Sequence, residues 1–271
     1  MRMAKHEGKC ALCGKEGKLT YEHIPPRVSN NSKPVRPVTL ETRLRSTPKY
    51  PWDMNGMTYV NMQQGMGLYS LCSSCNSMTG ANYGNAYNDF AQKAMVLLSA
   101  PIGDEYHSVG FDGLYPLRII KQILSMFCSV NPKAAIDDLR EFVLDKEAVG
   151  IDTSRNKVCM YFTRTGSKRY NGLGARIEGN GDILLFSEIT FAPFGFLLYI
   201  DPPENAQLAG FDITSFADHT YDDICSVKMP LDIREVNNWL PHDYRTKAEI
   251  TADVDSVEKT LDGLRGNKNN E

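Results

Sequence analysis

Four cysteines stand in two CxxC pairs, Cys10/Cys13 in CALCG and Cys72/Cys75 in CSSCN, and this spacing constrains the chain more than any other feature. Two thiolates three positions apart can face one ion, so two such pairs supply the four sulfurs of a closed tetrahedral zinc site. A reducing compartment disfavours structural disulfides, which leaves a redox CxxC as the competing use of the pattern. The other cysteines, Cys128, Cys159 and Cys225, lie in apolar surroundings and read as small core hydrophobes. A metal at this end does structural work, because a short loop-rich segment has too little apolar surface to fold alone and metal binding supplies folding free energy.

Around that frame the chain divides by texture. The run KLTYEHI reads as a short strand stopped by Pro25 and Pro26, which cannot continue a ladder. From Val28 to about Gly67 the sequence is rich in Pro, Asn, Ser, Met and Gly without a sustained period, and reads as an inserted loop within the 58 residues that separate the two pairs. A helix is expected from Cys72 to Ala100, with Tyr83, Tyr87, Phe90, Ala94 and Leu97 as its core stripe. Gly80 and Gly84 weaken its early part and allow a neighbour or ligand to approach the backbone closely. Two amphipathic helices follow, one lined by Leu117, Ile120, Ile123, Leu124 and Phe127, the other by Ile136, Leu139, Phe142 and Val143.

After Gly150 the pattern changes to short β-branched and aromatic runs, NKVCMYFTR, GLGARIEG, DILLFSEIT, FGFLLYI and CSVKMPLDI, divided by turn signals such as GNGD and DPPEN. They predict an antiparallel sheet or small sandwich. The end, DVDSVEKTLDGLRGNKNNE, reads as an exposed amphipathic helix with a polar tail. The fold class is therefore α+β, in three parts: 1–100 around the metal frame, a helical connector over 101–149, and a β-rich part over 150–271.

With 42% apolar residues and 23% charged, the 271-residue chain is composed like an ordinary globular protein, not a disordered or disulfide-rich one. It lacks an apolar run long enough to span a bilayer and an apolar leader, so the expectation is a cytoplasmic protein that does not engage a membrane. Its net charge of -3 hides an asymmetry: residues 1–50 carry 11 Lys/Arg against 4 Asp/Glu, and the remainder 19 against 29. A polyanion is drawn to the basic amino end, and the acidic excess elsewhere argues against the β-rich part as a nucleic-acid groove.

Between the cysteine pairs lies TYEHIPPR. Adjacent Glu22 and His23 at a strand end can hold a divalent cation and a water-activating base in one small volume, which suits metal-assisted phosphodiester hydrolysis. His6, His107, His219 and His242 have no such partner pattern and read as surface or hydrogen-bonded residues.

These elements, Cys10, Cys13, Glu22, His23, Ile24, Pro25, Pro26, Cys72, Cys75 and Asn76, together resemble the HNH nuclease family, in its members with a zinc knuckle, an EHIPP-like strand end and a second CxxC followed by Asn or His. The resemblance covers about residues 8–95. It implies a ββα-metal finger on a treble-clef zinc scaffold that cleaves nucleic acid, with DNA ahead of RNA. It implies His23 as general base, Glu22 and Asn76 as ligands of a catalytic Mg²⁺ or Mn²⁺, Cys10, Cys13, Cys72 and Cys75 as ligands of structural Zn²⁺, and Arg27 as a grip on the phosphate backbone. An amide in place of the motif's last histidine keeps an oxygen suited to a hard ion. The family's central asparagine falls shortly before the third cysteine, near Gly67 here; Asn61 is displaced, so the base-orienting position is unassigned. Two competing readings remain: a non-catalytic zinc-stabilised nucleic-acid-binding or interaction protein, and a β-rich half that senses a ligand or forms a homo-oligomer to control the nuclease.

Overall fold

The computed structural model describes residues 6–267 apart from 47, 60, 104 and 165, and for 262–267 the backbone only. The architecture is mixed α+β with antiparallel sheets. At the amino end β1 (Glu7–Lys9), β2 (Glu16–His23) and β3 (Gly67–Cys72) form one sheet in that order. β2 stops where the two prolines begin, since proline removes the ladder donor. β3 runs without a break into helix α2 (Ser73–Thr79).

The stretch between β2 and β3 is irregular, as its composition predicts, but holds the short helix α1 (Leu40–Ser46) and a two-way backbone pairing of Val35 with Met62. The long helix expected after Cys72 is interrupted. A π-helical turn, Gly80–Gly84, separates α2 from α3 (Asn85–Ser99). Tyr83, Tyr87, Phe90 and Ala94 are buried as expected, Leu97 is partly buried against the core, and Leu98, one ordinary helical step of four beyond Ala94, is buried as well.

Next comes a strand that the sequence reading missed, β4 (Ser108–Leu114), whose two glycines and aspartate dilute its β signal. It pairs with β10 (Cys225–Pro230) in a separate two-stranded sheet. The run CSVKMPLDI therefore forms a strand in a different sheet from the main carboxyl-terminal one, to which its last residues connect by a bridge of Ile233 with Phe162. Helix α4 (Pro116–Val130) begins with proline in its first turn, where no intrahelical N–H is lost, and is buried around almost its whole circumference. It packs against the π-helical turn, α3, β3 and α5 (Asp137–Leu144).

The main sheet contains β5 (Asn156–Phe162), β6 (Arg169–Ile177), β7 (Ile183–Phe191), β8 (Phe194–Ile200) and β9 (Phe211–Asp212), in the order β6-β7-β8-β5-β9. Every residue of β8 is buried, which explains its unbroken apolar run FGFLLYI. Helix α6 (Lys247–Asn267) follows at the carboxyl end; the last residues of the expected polar tail, 268–271, lie outside the described residues. One apolar cluster runs from Cys10 and Leu12 through α3 and α4 to Phe196 and Met229. No helix among the described residues is long and apolar enough to cross a membrane.

Candidate functional site

The turn between β1 and β2 carries Cys10 and Cys13, β3 ends on Cys72, and Cys75 sits in the first turn of α2. This brings the four Sγ atoms within 4.8 Å of one another. The Cys13 and Cys72 sulfurs are 3.9 Å apart, close to the roughly 3.8 Å that sulfurs keep on a tetrahedral ion with Zn–S of about 2.3 Å. All four are free cysteines. Burial pushes the Cys10 thiol up, but the backbone N–H groups of Cys72, Cys13 and Leu12 outweigh it and bring the group down to about 7. Burial and the crowding sulfurs push the Cys75 thiol the other way. Four convergent soft donors, one already poised to ionise, can bind a metal ion such as zinc.

The turn is also fastened from outside. Arg140 of α5, almost fully buried, donates from Nε and Nη2 to Leu12 O, at 3.1 and 2.6 Å, and from Nη2 to Cys10 O at 3.3 Å.

Beside this cluster opens a cleft of about 240 Å³ whose walls include Glu22, His23, Arg27, Asn76, Gly80 and Gln122. The strand end, the start of α2, the π-helical turn and α4 thus meet at one place. Glu22 is only 5% exposed, and burial alone pushes its carboxyl up to about 8. Among the described residues no donor or cation reaches it. His23 is half-buried, and its Nε2 lies 2.9 Å from the Gln64 carbonyl. A carbonyl only accepts, so Nε2 carries the proton and Nδ1 holds the free lone pair of the neutral ring. Burial, helped by Arg27 and opposed by the Gln64 bond, holds the imidazole below its usual range, so the ring is neutral near pH 7. Asn76 donates its amide N–H to Thr20 Oγ1 (3.0 Å) and Tyr21 O (3.2 Å), and no protein donor among the described residues takes its Oδ1. Arg27 is exposed at the rim.

Two residues escaped the sequence reading. Asn31, buried in the irregular stretch, donates to Pro25 O and Met66 O and accepts from Met66 N, each at 2.7 Å, so one side chain clamps both ends of the β2–β3 excursion. Nothing in its sequence surroundings marks it. Asn61 is elsewhere, exposed, accepting from Arg36 Nε at 3.2 Å, and takes no part in orienting His23. The second is Gln122, 1% exposed, whose Oε1 has no partner among the described residues. Its signal was available: a polar side chain on a helix apolar on more than one face must be buried.

No family model, curated protein or solved structure matches the chain.

Proposed function

We propose that the chain is a metal-dependent endonuclease of the HNH type, hydrolysing phosphodiester bonds of nucleic acid, with DNA as the preferred substrate. The observation that carries this reading is the convergence of a partnerless buried carboxylate (Glu22), a neutral imidazole with its Nδ1 lone pair free (His23) and an amide oxygen (Asn76) on one cleft. The order of knuckle turn, β2–β3 hairpin and α2, with one sulfur pair at the turn and the other at the helix start, supports a treble-clef scaffold holding a ββα-metal finger.

The donor set fits a hard divalent cation, Mg²⁺ or Mn²⁺, because it offers oxygens without a counter-charge. Glu22 and Asn76 would hold it, and when bound it would stabilise charge on the scissile phosphate and the leaving oxygen. The chain's own groups do the rest. His23 Nδ1 takes the proton of the attacking water, while the bond from Nε2–H to Gln64 O fixes the ring's tautomer and orientation. Arg27 contacts the backbone phosphate at the rim. Asn31 takes the bracing role open at Gly67, where any Cβ would lie 2.1 Å from Glu22 O.

The test is cleavage of plasmid, single-stranded DNA and RNA by zinc-loaded protein with Mg²⁺, Mn²⁺ or chelator. His23→Ala is expected to lose about 10²–10⁴-fold in rate while keeping its zinc and its fold. Full activity in that variant removes the proposed base. Binding of DNA without any metal-dependent cut supports the non-catalytic reading, which the two donor bonds of the Asn76 amide to β2 favour.

A further inference from the structure

Helix α4 lies outside the finger, yet it delivers one polar side chain to the cleft. Gln122 is 1% exposed, lines the same cleft as Glu22 and Asn76, and leaves Oε1 without a hydrogen bond among the described residues. A buried amide oxygen left unpaired is destabilising, and one beside a cleft is suited to a donor or cation that enters it. Glu22, which lines the same cleft, is also buried, and among the described residues nothing donates to its carboxyl. Once its proton leaves, Glu22 offers acceptor oxygens only, as Gln122 Oε1 does, and such a pair suits a divalent cation, whose arrival displaces that proton. Gly80 and Gly84 border the space without side chains, and a Cβ at Gly84 would come into ordinary contact with Gln122 Oε1, at 3.9 Å.

We propose that Gln122 Oε1 is a ligand of the divalent cation that Glu22 holds, so that α4 closes the metal site of the finger from outside. This rests on the reading of the cleft as a hard-cation site and adds to it a third oxygen, from a helix that the ββα unit does not contain. The consequence is that the cation links the finger to the central helix, and the isolated finger binds it more weakly than the full chain.

The experiment uses the full-length, zinc-loaded protein and reads Mn²⁺ binding by electron paramagnetic resonance and titration calorimetry, without nucleic acid. Wild type is expected to bind one Mn²⁺ beyond the zinc, and Glu22→Gln to lose it. Gln122→Leu is expected to weaken Mn²⁺ by at least about tenfold with the melting profile retained, and Gln122→Glu, which exchanges a neutral oxygen for a charged one, to bind more tightly than wild type. Unchanged affinity in Gln122→Leu, with binding lost in Glu22→Gln, overturns the role of Gln122 and leaves the cation site standing. Absence of Mn²⁺ binding in wild type overturns both. Should Gln122→Leu fail to fold, Gln122→Glu decides: tighter binding supports the ligand, and equal or weaker binding overturns it.

Discussion

Among the described residues two glutamates are buried, and the fold treats them in opposite ways. Glu188 on β7 is fully buried and saturated: Arg169 (2.8 Å), Tyr161 (2.7 Å) and Tyr244 (3.1 Å) reach Oε1, and the backbone N–H of His242 reaches Oε2 at 2.8 Å. Glu22 is nearly as buried and has none of these. A carboxylate that the protein surrounds with donors stabilises a fold; one that the protein desolvates and leaves bare beside a cleft is held for something that arrives later. Burial alone does not distinguish the two glutamates; their partners do.

The largest effect expected from this contrast concerns the sulfur frame. Cys72→Ser, or exhaustive chelation of zinc, should unfold the amino-terminal sheet and leave the β5–β8 sheet folded, because the four convergent sulfurs lie at the former, and metal binding contributes of order 10 kcal/mol in small zinc modules. Hydrogen exchange resolved by segment checks this, and uniform protection would contradict it. Next in size, Arg169→Leu strands the Glu188 charge and should cost about 3–5 kcal/mol in urea unfolding, with metal binding in the cleft unchanged.

The two regions should also respond to pH with opposite sign. Burial raises Glu22 from 4.5 to about 8, so its contribution to the stability of the cation-free, zinc-bound protein is full below about 4.5 and is lost as pH rises through about 8. His242 is the mirror case. Its Nδ1 accepts from Arg176 at 2.8 Å and its Nε2 faces the Tyr199 hydroxyl at 2.7 Å. Burial, then the Arg176 charge, lowers it from 6.5 to about 4, so its contribution is present above 6.5 and is lost as pH falls through about 4. Melting curves across pH 4–9 should show both limbs. Glu22→Gln or added Mn²⁺ should flatten the alkaline limb only, and an alkaline limb that survives in Glu22→Gln assigns it to another group. The smallest effect is expected from Asn31→Ala, about 1–3 kcal/mol from stranded backbone groups. It should lower cleavage more than it lowers Mn²⁺ affinity, since Asn31 braces the loop that carries Gln64 and touches no proposed ligand.

Much of this was written in local pattern. The CxxC pairs announce a sulfur cluster because a tetrahedral ion demands that spacing, and the Tyr83, Tyr87, Phe90 and Ala94 row announces a packed helix. What escaped depends on distant partners. The π-helical turn, which leaves no mark in the local pattern beyond its two glycines, packs against α4. β4 holds as a strand because β10 pairs with it from more than a hundred residues away. Asn31 and Gln122 gain their meaning from what the fold places around them: one spans two chain ends, and the other lines the cleft that Glu22 of β2 also lines.

The Asn31 clamp and the Val35–Met62 pairing pinch the β2–β3 excursion twice before it travels outward. Farther out the segment is held to α6, by the Lys49–Glu258 ion pair and by Lys247 over the Trp52 ring. A loop pinned at both root and tip behaves as a strut between two parts of the chain, and exchanges of its exposed side chains are expected to leave the register of β2 and β3 unchanged.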